Sequence, residues 1–137
     1  MKFPLLSLVI SCFLCLGLSA AKQPNFLVIL ADDCTYNDLP LYGGQNAKTP
    51  NIDKLAGDGL QFERCFQAAP MCSPTRHNLY TGLYPVKSGA YPNHTFAKAG
   101  TQSVVHYLKP LGYRVALSGK THIKPKEVFP FEYSLII

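Results

Sequence analysis

Three short polar clusters in this sequence contain side chains that can bind ions or take part in catalysis. Asp32 and Asp33 offer two adjacent carboxylates, residues 72–76 are Cys-Ser-Pro-Thr-Arg, and residues 120–122 are Lys-Thr-His. Carboxylates bind hard divalent cations, guanidinium and ammonium groups bind anions, and imidazole transfers protons near neutral pH. Each cluster alone has an ordinary explanation as a solvated turn, a buried thiol or a pair of surface cations. Their meaning therefore depends on whether the fold brings them together.

Residues 72–76 form the most distinctive of the three clusters. Pro74 favours the beginning of a helix, which places Cys72 at the helix start and Arg76 one turn further along the same face. An anion held near Cys72 would then meet both backbone amides and a guanidinium group. The pattern Cys-x-Pro-Ser/Thr-Arg is also rare by chance in a chain of 137 residues. The cluster therefore predicts a site for an anionic group.

Two apolar segments rich in strand-forming residues lead into the other two clusters. Residues 25–31 are Asn-Phe-Leu-Val-Ile-Leu-Ala and end at Asp32, and residues 113–117 are Tyr-Arg-Val-Ala-Leu and lead towards Lys120. Continuous apolar runs of this length are typical of parallel strands that are covered on both faces. Because ligands bind beyond the carboxyl ends of such strands, both clusters are well placed for chemistry.

The segments between these strands favour helices. A Thr-Pro pair at residues 49–50 predicts a helix that ends at Gly57 or Gly59. The remaining predicted elements are a strand over residues 60–66, a helix over 73–82, a loop over 83–100 and a helix over 103–108 with Thr101 as its candidate cap. This alternation predicts an α/β fold with a mostly parallel sheet flanked by helices.

Length and charge limit the kinds of protein that this chain can be. Its 137 residues hold one domain at most, and 47% apolar against 15% charged residues favour a packed core. The formal charge of +5 is spread along the chain without a basic arm or zinc-finger spacing, so nucleic-acid binding is not expected. A mild basic excess suits an anionic substrate.

Residues 1–20 have the features of a secretory signal peptide, which leaves residues 21–137 as the mature chain. An early lysine and a short apolar run precede a Leu-Ser-Ala cleavage pattern, and the run is too short for a stable membrane anchor. The sequence therefore predicts export, to the periplasm or medium in a bacterium and to the lysosome or cell exterior in a eukaryote. Cleavage would leave Cys34, Cys65 and Cys72, an odd number, so at least one stays outside any internal disulfide.

Taken together, these motifs resemble the formylglycine-dependent (type I) sulfatase family, in the order that the family has them. Residues 72–82 are similar to the sulfatase signature, and residues 25–33 resemble the family's first strand with its two metal-binding aspartates. Residues 49–56 resemble its first helix, and residues 119–122 match its Gly-Lys-x-His loop. The resemblance covers nearly all of residues 21–137. It implies the amino-terminal part of a sulfatase catalytic domain with an alkaline-phosphatase-like fold.

The resemblance implies a nucleophile and a metal site. A maturation enzyme would oxidise Cys72 to formylglycine, whose hydrate attacks the sulfur of a sulfated saccharide and afterwards releases sulfate. Asp32 and Asp33 would bind Ca²⁺ together with the modified residue 72. A serine or an unmodified cysteine lacks the second hydroxyl of the hydrate, which is why the modification would matter.

Three cationic or titratable side chains would complete this part of the site by the same resemblance. Arg76 would hold the formylglycine hydroxyl, Lys120 would offset charge on the sulfate, and His122 would hydrogen-bond the hydrate and assist proton removal. In an extended segment Lys120 and His122 point the same way, so both would enter one cleft. The other histidines have no evident partner and are assigned to structure or surface: His77, His94 and His106.

The segment after Lys120 narrows the resemblance and leaves alternatives. Residues 119–132 are similar to the matching stretch of N-sulfoglucosamine sulfohydrolases (sulfamidases), which implies glycosaminoglycan degradation at N-sulfated glucosamine, although relatives that cleave O-sulfate esters share the stretch. A phosphonate or phosphodiester hydrolase of the same superfamily and an exported non-catalytic fragment remain alternatives. Complete sulfatases are several-fold longer and supply a later histidine and a second metal-binding pair. The 137-residue chain alone is therefore expected to be an inactive fragment.

Overall fold

The structure, a computed structural model, describes residues 23–132 and 134–135, so the predicted signal peptide lies outside the described residues. The chain divides into two units, residues 1–30 and residues 31–137. The described helices are α1 Pro50–Asp58, α2 Cys72–Thr81, α3 Pro85–Ser88 and α4 Val104–Leu108, with 3-10 turns at Tyr36–Asp38, Pro40–Tyr42 and Lys109–Leu111. None of these described helices is long and apolar enough to cross a membrane.

Two short strands form the sheet of the described chain. Strand β1 (Leu117–Ser118) runs parallel to strand β2 (Ser134–Leu135), with Leu117 opposite Ser134. A backbone hydrogen bond of 2.9 Å from Glu132 N to Val115 O precedes the ladder. The chain leaves β1 through Gly119, whose φ of 89° favours a residue without a Cβ atom. This turn leads directly to Lys120.

Helix α2 begins at Cys72, and its sequence explains both of its ends. Pro74 lies in the first turn, where a missing N–H is tolerated because first-turn amides have no partner within the helix. Met71 holds the N-cap position and makes no side-chain capping hydrogen bond. Gly82 ends the helix in the left-handed conformation, φ 68°, and donates its N–H to Asn78 O at 2.8 Å.

The buried side of α2 packs against the chain that follows residue 122. His77 is fully buried and its ring meets Phe129 edge-on, with 5.1 Å between ring centroids. His77 Nε2 also lies 3.1 Å from the backbone oxygen of Lys124. The core beside it consists of Ala97, Val128 and Phe129, with Tyr80, Ile123 and Phe131 packed against them. These contacts fix the helix that carries Cys72 against the segment after Lys120.

The predicted helices are present, with changes at their ends. Helix α1 ends at Gly59, one of the two predicted positions. Helix α4 is capped by Ser103, which forms a capping box with His106, so the prediction of Thr101 as the cap is wrong. Ser103 directly precedes the first helical residue, where its hydroxyl reaches the unpaired amides. The short helix α3 lies within the predicted loop over residues 83–100.

The predicted strands are mostly wrong within the described residues. Residues 25–31 form no strand, and Leu27 and Ile29 are 86% and 81% exposed. Residues 60–66 form none either, and only Leu117 of the predicted strand over residues 113–117 belongs to β1. A strand exists through hydrogen bonds to a neighbour, and the described strands pair only with each other. The parallel direction of β1 and β2 agrees with the prediction.

Candidate active site

Asp32 is the residue at which the three polar clusters meet. Its Oδ1 accepts a hydrogen bond from Arg76 Nη2 at 3.2 Å, and its Oδ2 accepts one from Lys120 Nζ. The same Nζ lies 3.5 Å from Cys72 Sγ. The structure thus brings members of all three clusters into a single group, although Asp32 and Lys120 are 88 positions apart in the sequence.

Arg76 connects helix α2 to the loop after β1. Its side chain is only 6% exposed, and Nη1 donates to the backbone oxygen of Lys120 at 2.7 Å. Arg76 stands one turn after Cys72, so both side chains leave the helix on the same face, as the sequence predicted. Nε of Arg76 is buried without a hydrogen-bond partner in the described part of the chain. One guanidinium group therefore holds both the Asp32 carboxylate and the backbone at Lys120.

The charges of Asp32 and Lys120 stabilise each other. The hydrogen bond from Lys120 lowers the pKa of Asp32, with a smaller contribution from Arg76 and an opposing effect of desolvation. The hydrogen bond to Asp32 raises the pKa of Lys120, and Cys72 adds to this rise. At neutral pH Asp32 is therefore an anion and Lys120 a cation. Because an ammonium group has three N–H donors, Lys120 can also bind a further anion beside Cys72.

Asp33 and Cys72 join Asp32 in a group of candidate metal ligands. One ligand atom of each lies within 4.8 Å of the others, with both aspartates exposed and Cys72 half-buried. The backbone of Asp33 is left-handed, with φ 51°. In extended backbone, consecutive side chains point to opposite sides of the chain. The left-handed conformation at Asp33 interrupts this alternation. The two carboxylates can therefore lie on the same side of the chain.

His122 hydrogen-bonds outside this group. Its Nε2 lies 3.0 Å from His94 Nδ1, while its own Nδ1 is buried and has no partner among the described residues. Its backbone is left-handed, φ 48°, so the expected extended segment from Lys120 to His122 is absent and that part of the prediction is wrong. Burial lowers the pKa of His122, and the nearby charges of His94 and Lys120 lower it further.

The family follows from comparison with known proteins. The profile of the Sulfatase family matches residues 24–133, which include all three polar clusters. The chain belongs to the sulfatase family. The fold is therefore part of a sulfatase domain of the alkaline-phosphatase-like superfamily, and the predicted α/β class is confirmed.

Three sulfatases show how far the similarity extends. An ulvan-active sulfatase of Formosa agariphila is 41% identical over 112 residues, which cover 82% of this chain and 22% of the relative. Arylsulfatase A of Homo sapiens is 37% identical over 113 residues, covering 78% of the chain and 22% of the relative. N-acetylgalactosamine-6-sulfatase of Homo sapiens is 34% identical over 128 residues, covering 83% of the chain and 24% of the relative. The chain thus spans less than a quarter of these relatives. None of the three is a sulfamidase, so the finer resemblance stays a prediction.

The two carboxylates of the candidate metal group in this sulfatase chain fit a hard divalent cation, and an oxygen at position 72 would fit it as well. Asp32 and Asp33 supply carboxylate oxygens, the ligands that Ca²⁺ and Mg²⁺ prefer. The soft sulfur of an unmodified Cys72 suits other metals better. The ammonium group of Lys120 already occupies one side of Asp32, which shows that a positive charge is stabilised there. The donor set therefore fits the metal that the family resemblance implies.

Residues 93–95 of this sulfatase chain reach the site, and the sequence did not reveal them. Asn93 Oδ1 accepts a hydrogen bond from Ser73 N at 3.2 Å, and the backbone oxygen of Thr95 accepts one from Ser73 Oγ at 2.8 Å. His94 is exposed and is the hydrogen-bond partner of His122, so the prediction that it has no partner is wrong. The loop has no periodicity that could have indicated these contacts.

Other features of the described chain are not part of the group around Asp32. Cys34 and Cys65 are exposed and form no disulfide, and Cys72 is the described cysteine whose sulfur contacts Lys120. An apolar cavity of about 350 Å³ lies between the turn at Pro40–Tyr42 and α1, and Leu41 and Leu55 are among its lining residues. No residue of the polar clusters lines this cavity, so it does not belong to the candidate active site.

Proposed function

We propose that this chain supplies the nucleophile and the first metal ligands of an exported sulfatase that hydrolyses sulfate esters or sulfamates of saccharides. The convergence of Asp32, Cys72, Arg76 and Lys120 on one another is the observation that carries the proposal. Membership of the sulfatase family supports the class of reaction.

Cys72 is proposed as the residue that a maturation enzyme converts to formylglycine. Formylglycine, as its hydrate, would supply a hydroxyl that attacks sulfur and a second hydroxyl through which sulfate is released. Cys72 stands at the first residue of α2, where backbone amides favour a negative charge. Arg76 and Lys120 place two further cationic groups beside this position. The chain around residue 72 is therefore suited to an anionic group and to its attacking oxygen.

Asp32, Asp33 and the oxygen of the modified residue 72 are the proposed ligands of Ca²⁺. Bound by these residues, the cation would supply Lewis-acid stabilisation of the negative charge on the sulfate. Lys120 would donate to a sulfate oxygen from the other side, because its Nζ already lies beside both Asp32 and Cys72. Arg76 keeps the Asp32 carboxylate in place while these charges are rearranged.

A sulfated saccharide is the proposed substrate. The names of two relatives refer to ulvan and to N-acetylgalactosamine, and the sequence after Lys120 resembles that of sulfamidases. We further propose an N-sulfated glucosamine as the preferred unit, and glycosaminoglycan breakdown as the setting. Export through residues 1–20 would bring the enzyme to such extracellular or lysosomal material. A formylglycine-generating enzyme would be its maturation partner.

The test is hydrolysis by the complete gene product, produced in a host that has the maturation enzyme. We expect release of sulfate from p-nitrophenyl sulfate or from N-sulfoglucosamine, and much weaker activity on p-nitrophenyl phosphate. Cys72→Ala should abolish turnover, whereas Cys65→Ala, which removes an exposed thiol, should not. Mass analysis of the peptide containing residue 72 should show the aldehyde. A fully active protein with an unmodified Cys72, or a preference for the phosphate ester, would reject the proposal.

A further inference from the structure

Residues 93–95, which we name the bridging segment, contact two parts of the candidate site at once. Asn93 and Thr95 both bond to Ser73, the second residue of α2 and the neighbour of Cys72. Ser73 itself is fully buried. Between these two anchors, His94 reaches the loop after β1 and bonds to His122. The segment therefore joins the helix that carries Cys72 to the loop that carries His122.

The bond between His94 and His122 couples the orientations and tautomers of the two rings. The nitrogen atoms lie 3.0 Å apart, and the ring centroids are 4.9 Å apart at 45°. A hydrogen bond between two neutral imidazoles needs one donor and one acceptor, so the tautomer of His122 is coupled to that of His94. The remaining nitrogen, Nδ1, is buried without a partner among the described residues. A buried polar atom of this kind is expected to meet a partner in the working site.

The backbone of His94 shows that its position is determined by its surroundings. Its φ is 64°, in the left-handed region that residues other than glycine seldom occupy, although histidine is found there more often than most. The two anchors on either side hold the chain in this conformation. The ring is exposed, so burial of its apolar surface does not explain its placement. Its hydrogen bond to His122 is its contact with the site.

We propose that His94 is a positioning residue that holds His122 through Nε2, so that Nδ1 of His122 is the nitrogen that meets the reacting group at residue 72. The proposal rests on the proposed function, because it assumes that His122 acts in sulfate release. His94 itself would touch neither the substrate nor the metal. It would act by keeping one tautomer and one orientation of the neighbouring ring, as hydrogen-bonded partners of functional histidines do in other sites.

The first arm of the test compares variants of His94 in the complete gene product with p-nitrophenyl sulfate as the probe. His94→Gly removes the ring and accepts the left-handed backbone without strain. We expect kcat to fall by about tenfold to a hundredfold, with KM changed by less than about threefold, because the ring that assists the reaction is misplaced while sulfate binding is kept. His94→Asn keeps a polar atom near the place of Nδ1 and tolerates the backbone, so it should restore most of kcat.

A double variant separates positioning from a general structural role. If His94 acts through His122, then His94→Gly should cost nothing further in a protein that already carries His122→Ala. Additive losses would overturn the proposal. His106→Asn, a change at a histidine in the cap of α4, is the matched control and should leave kcat unchanged. Mass spectrometry gives the fraction of each variant in which residue 72 is an aldehyde. Each kcat is then calculated for the mature fraction alone.

A second readout does not depend on activity. In protein labelled with ¹⁵N at histidine, the ring nitrogens of His122 should report a single tautomer, and His94→Gly should convert it to a mixture. An unchanged His122 spectrum overturns the proposal whatever the turnover. An inactive but mature wild type would overturn the proposed function instead, and the spectrum would still decide the orientation of His122. The two failures are therefore distinguishable.

Discussion

The ammonium nitrogen of Lys120 lies 3.5 Å from the sulfur of Cys72, although the two residues are 48 positions apart. Cys72 begins a helix and Lys120 follows a short strand, so neither position is set by the local structure of the other. Arg76 joins them, since it leaves the same helix as Cys72 and binds the backbone of Lys120. The helix that carries Cys72 and the loop that carries Lys120 are thus connected by one guanidinium group.

Replacing Lys120 by methionine should lower kcat of the complete gene product by about a hundredfold. The variant keeps the length of the side chain and removes the charge that faces the group transferred at residue 72, an interaction worth most in the transition state. Steady-state hydrolysis of p-nitrophenyl sulfate measures the effect. Lys54→Met, a change on the exposed face of α1, is the control and should retain full activity. Equal activity in the two variants would contradict the role of Lys120.

Replacing Arg76 by methionine should reduce the free energy of unfolding by about 2–3 kcal/mol. The change leaves the backbone oxygen of Lys120 and one oxygen of Asp32 without their hydrogen-bond donor. Because the Arg76 side chain that supplies these bonds is buried, the loss of its hydrogen bonds is costly. Urea unfolding of the purified protein provides the measurement. Arg114→Met removes an ion pair with Glu132 in which the Arg114 side chain is 73% exposed, so it should cost less than about 1 kcal/mol. Similar losses in both variants would show that Arg76 has no special structural role.

The parts of the fold that follow from local rules were predictable. The start of α2 at Cys72 and its end at Gly82 depend on Pro74 and on a glycine in the left-handed conformation, which the sequence shows directly. The common face of Cys72 and Arg76 follows from helical spacing alone. The approach of Asp32 to the other two clusters was also expected, although the strand predicted to lead into it is absent from the described residues.

The remaining features depend on contacts between distant residues. The apolar pattern of residues 25–31 predicts a strand, but hydrogen bonds to a neighbouring strand must complete it, and the described chain has only the pair β1 and β2. The contact of His94 with His122 requires left-handed backbone at both residues, with φ 64° and 48°. No spacing rule predicts two such residues for side chains other than glycine. The bridging segment could therefore be found only from the structure.

Replacing Asn93 by alanine should destabilise the protein by about 1 kcal/mol. Met71 cannot cap helix α2, and Asn93 supplies the missing acceptor to the amide of Ser73 from a distant loop. Thermal unfolding followed by circular dichroism measures the loss. Asn93→Asp keeps an acceptor at the same place and should recover the stability, whereas Asn46→Ala, at an exposed position, should have no effect. A fully stable Asn93→Ala protein would show that the amide of Ser73 finds another acceptor.

Adding Ca²⁺ should stabilise the mature protein, and Asp33→Asn should remove most of this effect. A ligand that binds only the folded state stabilises it by about 2.7 kcal/mol at a hundredfold excess over Kd. Asp33 is one of the three residues whose ligand atoms lie within 4.8 Å of one another. Thermal unfolding with Ca²⁺ and with a chelator gives the measurement. Asp58→Asn, in the last turn of α1, should respond to Ca²⁺ as the wild type does. A Ca²⁺ response that survives Asp33→Asn would place the metal elsewhere.

The depressed pKa of His122 predicts how its contribution to stability depends on pH. Burial and the charges nearby lower the pKa below 6.5, so the folded protein holds the neutral ring while the unfolded chain binds a proton at the ordinary pKa. The unfolded state therefore gains protons first as the pH falls, and stability is lost between pH 6.5 and the lowered pKa of the folded state. The difference in unfolding free energy between wild type and His122→Gln should be more favourable to the wild type at about pH 7.5 than at about pH 5. Urea unfolding at the two pH values measures this difference. If the difference in unfolding free energy between wild type and His122→Gln were equal at the two pH values, His122 would have the same pKa in the folded and unfolded chains. Burial and the neighbouring charges would then have no effect on its ring.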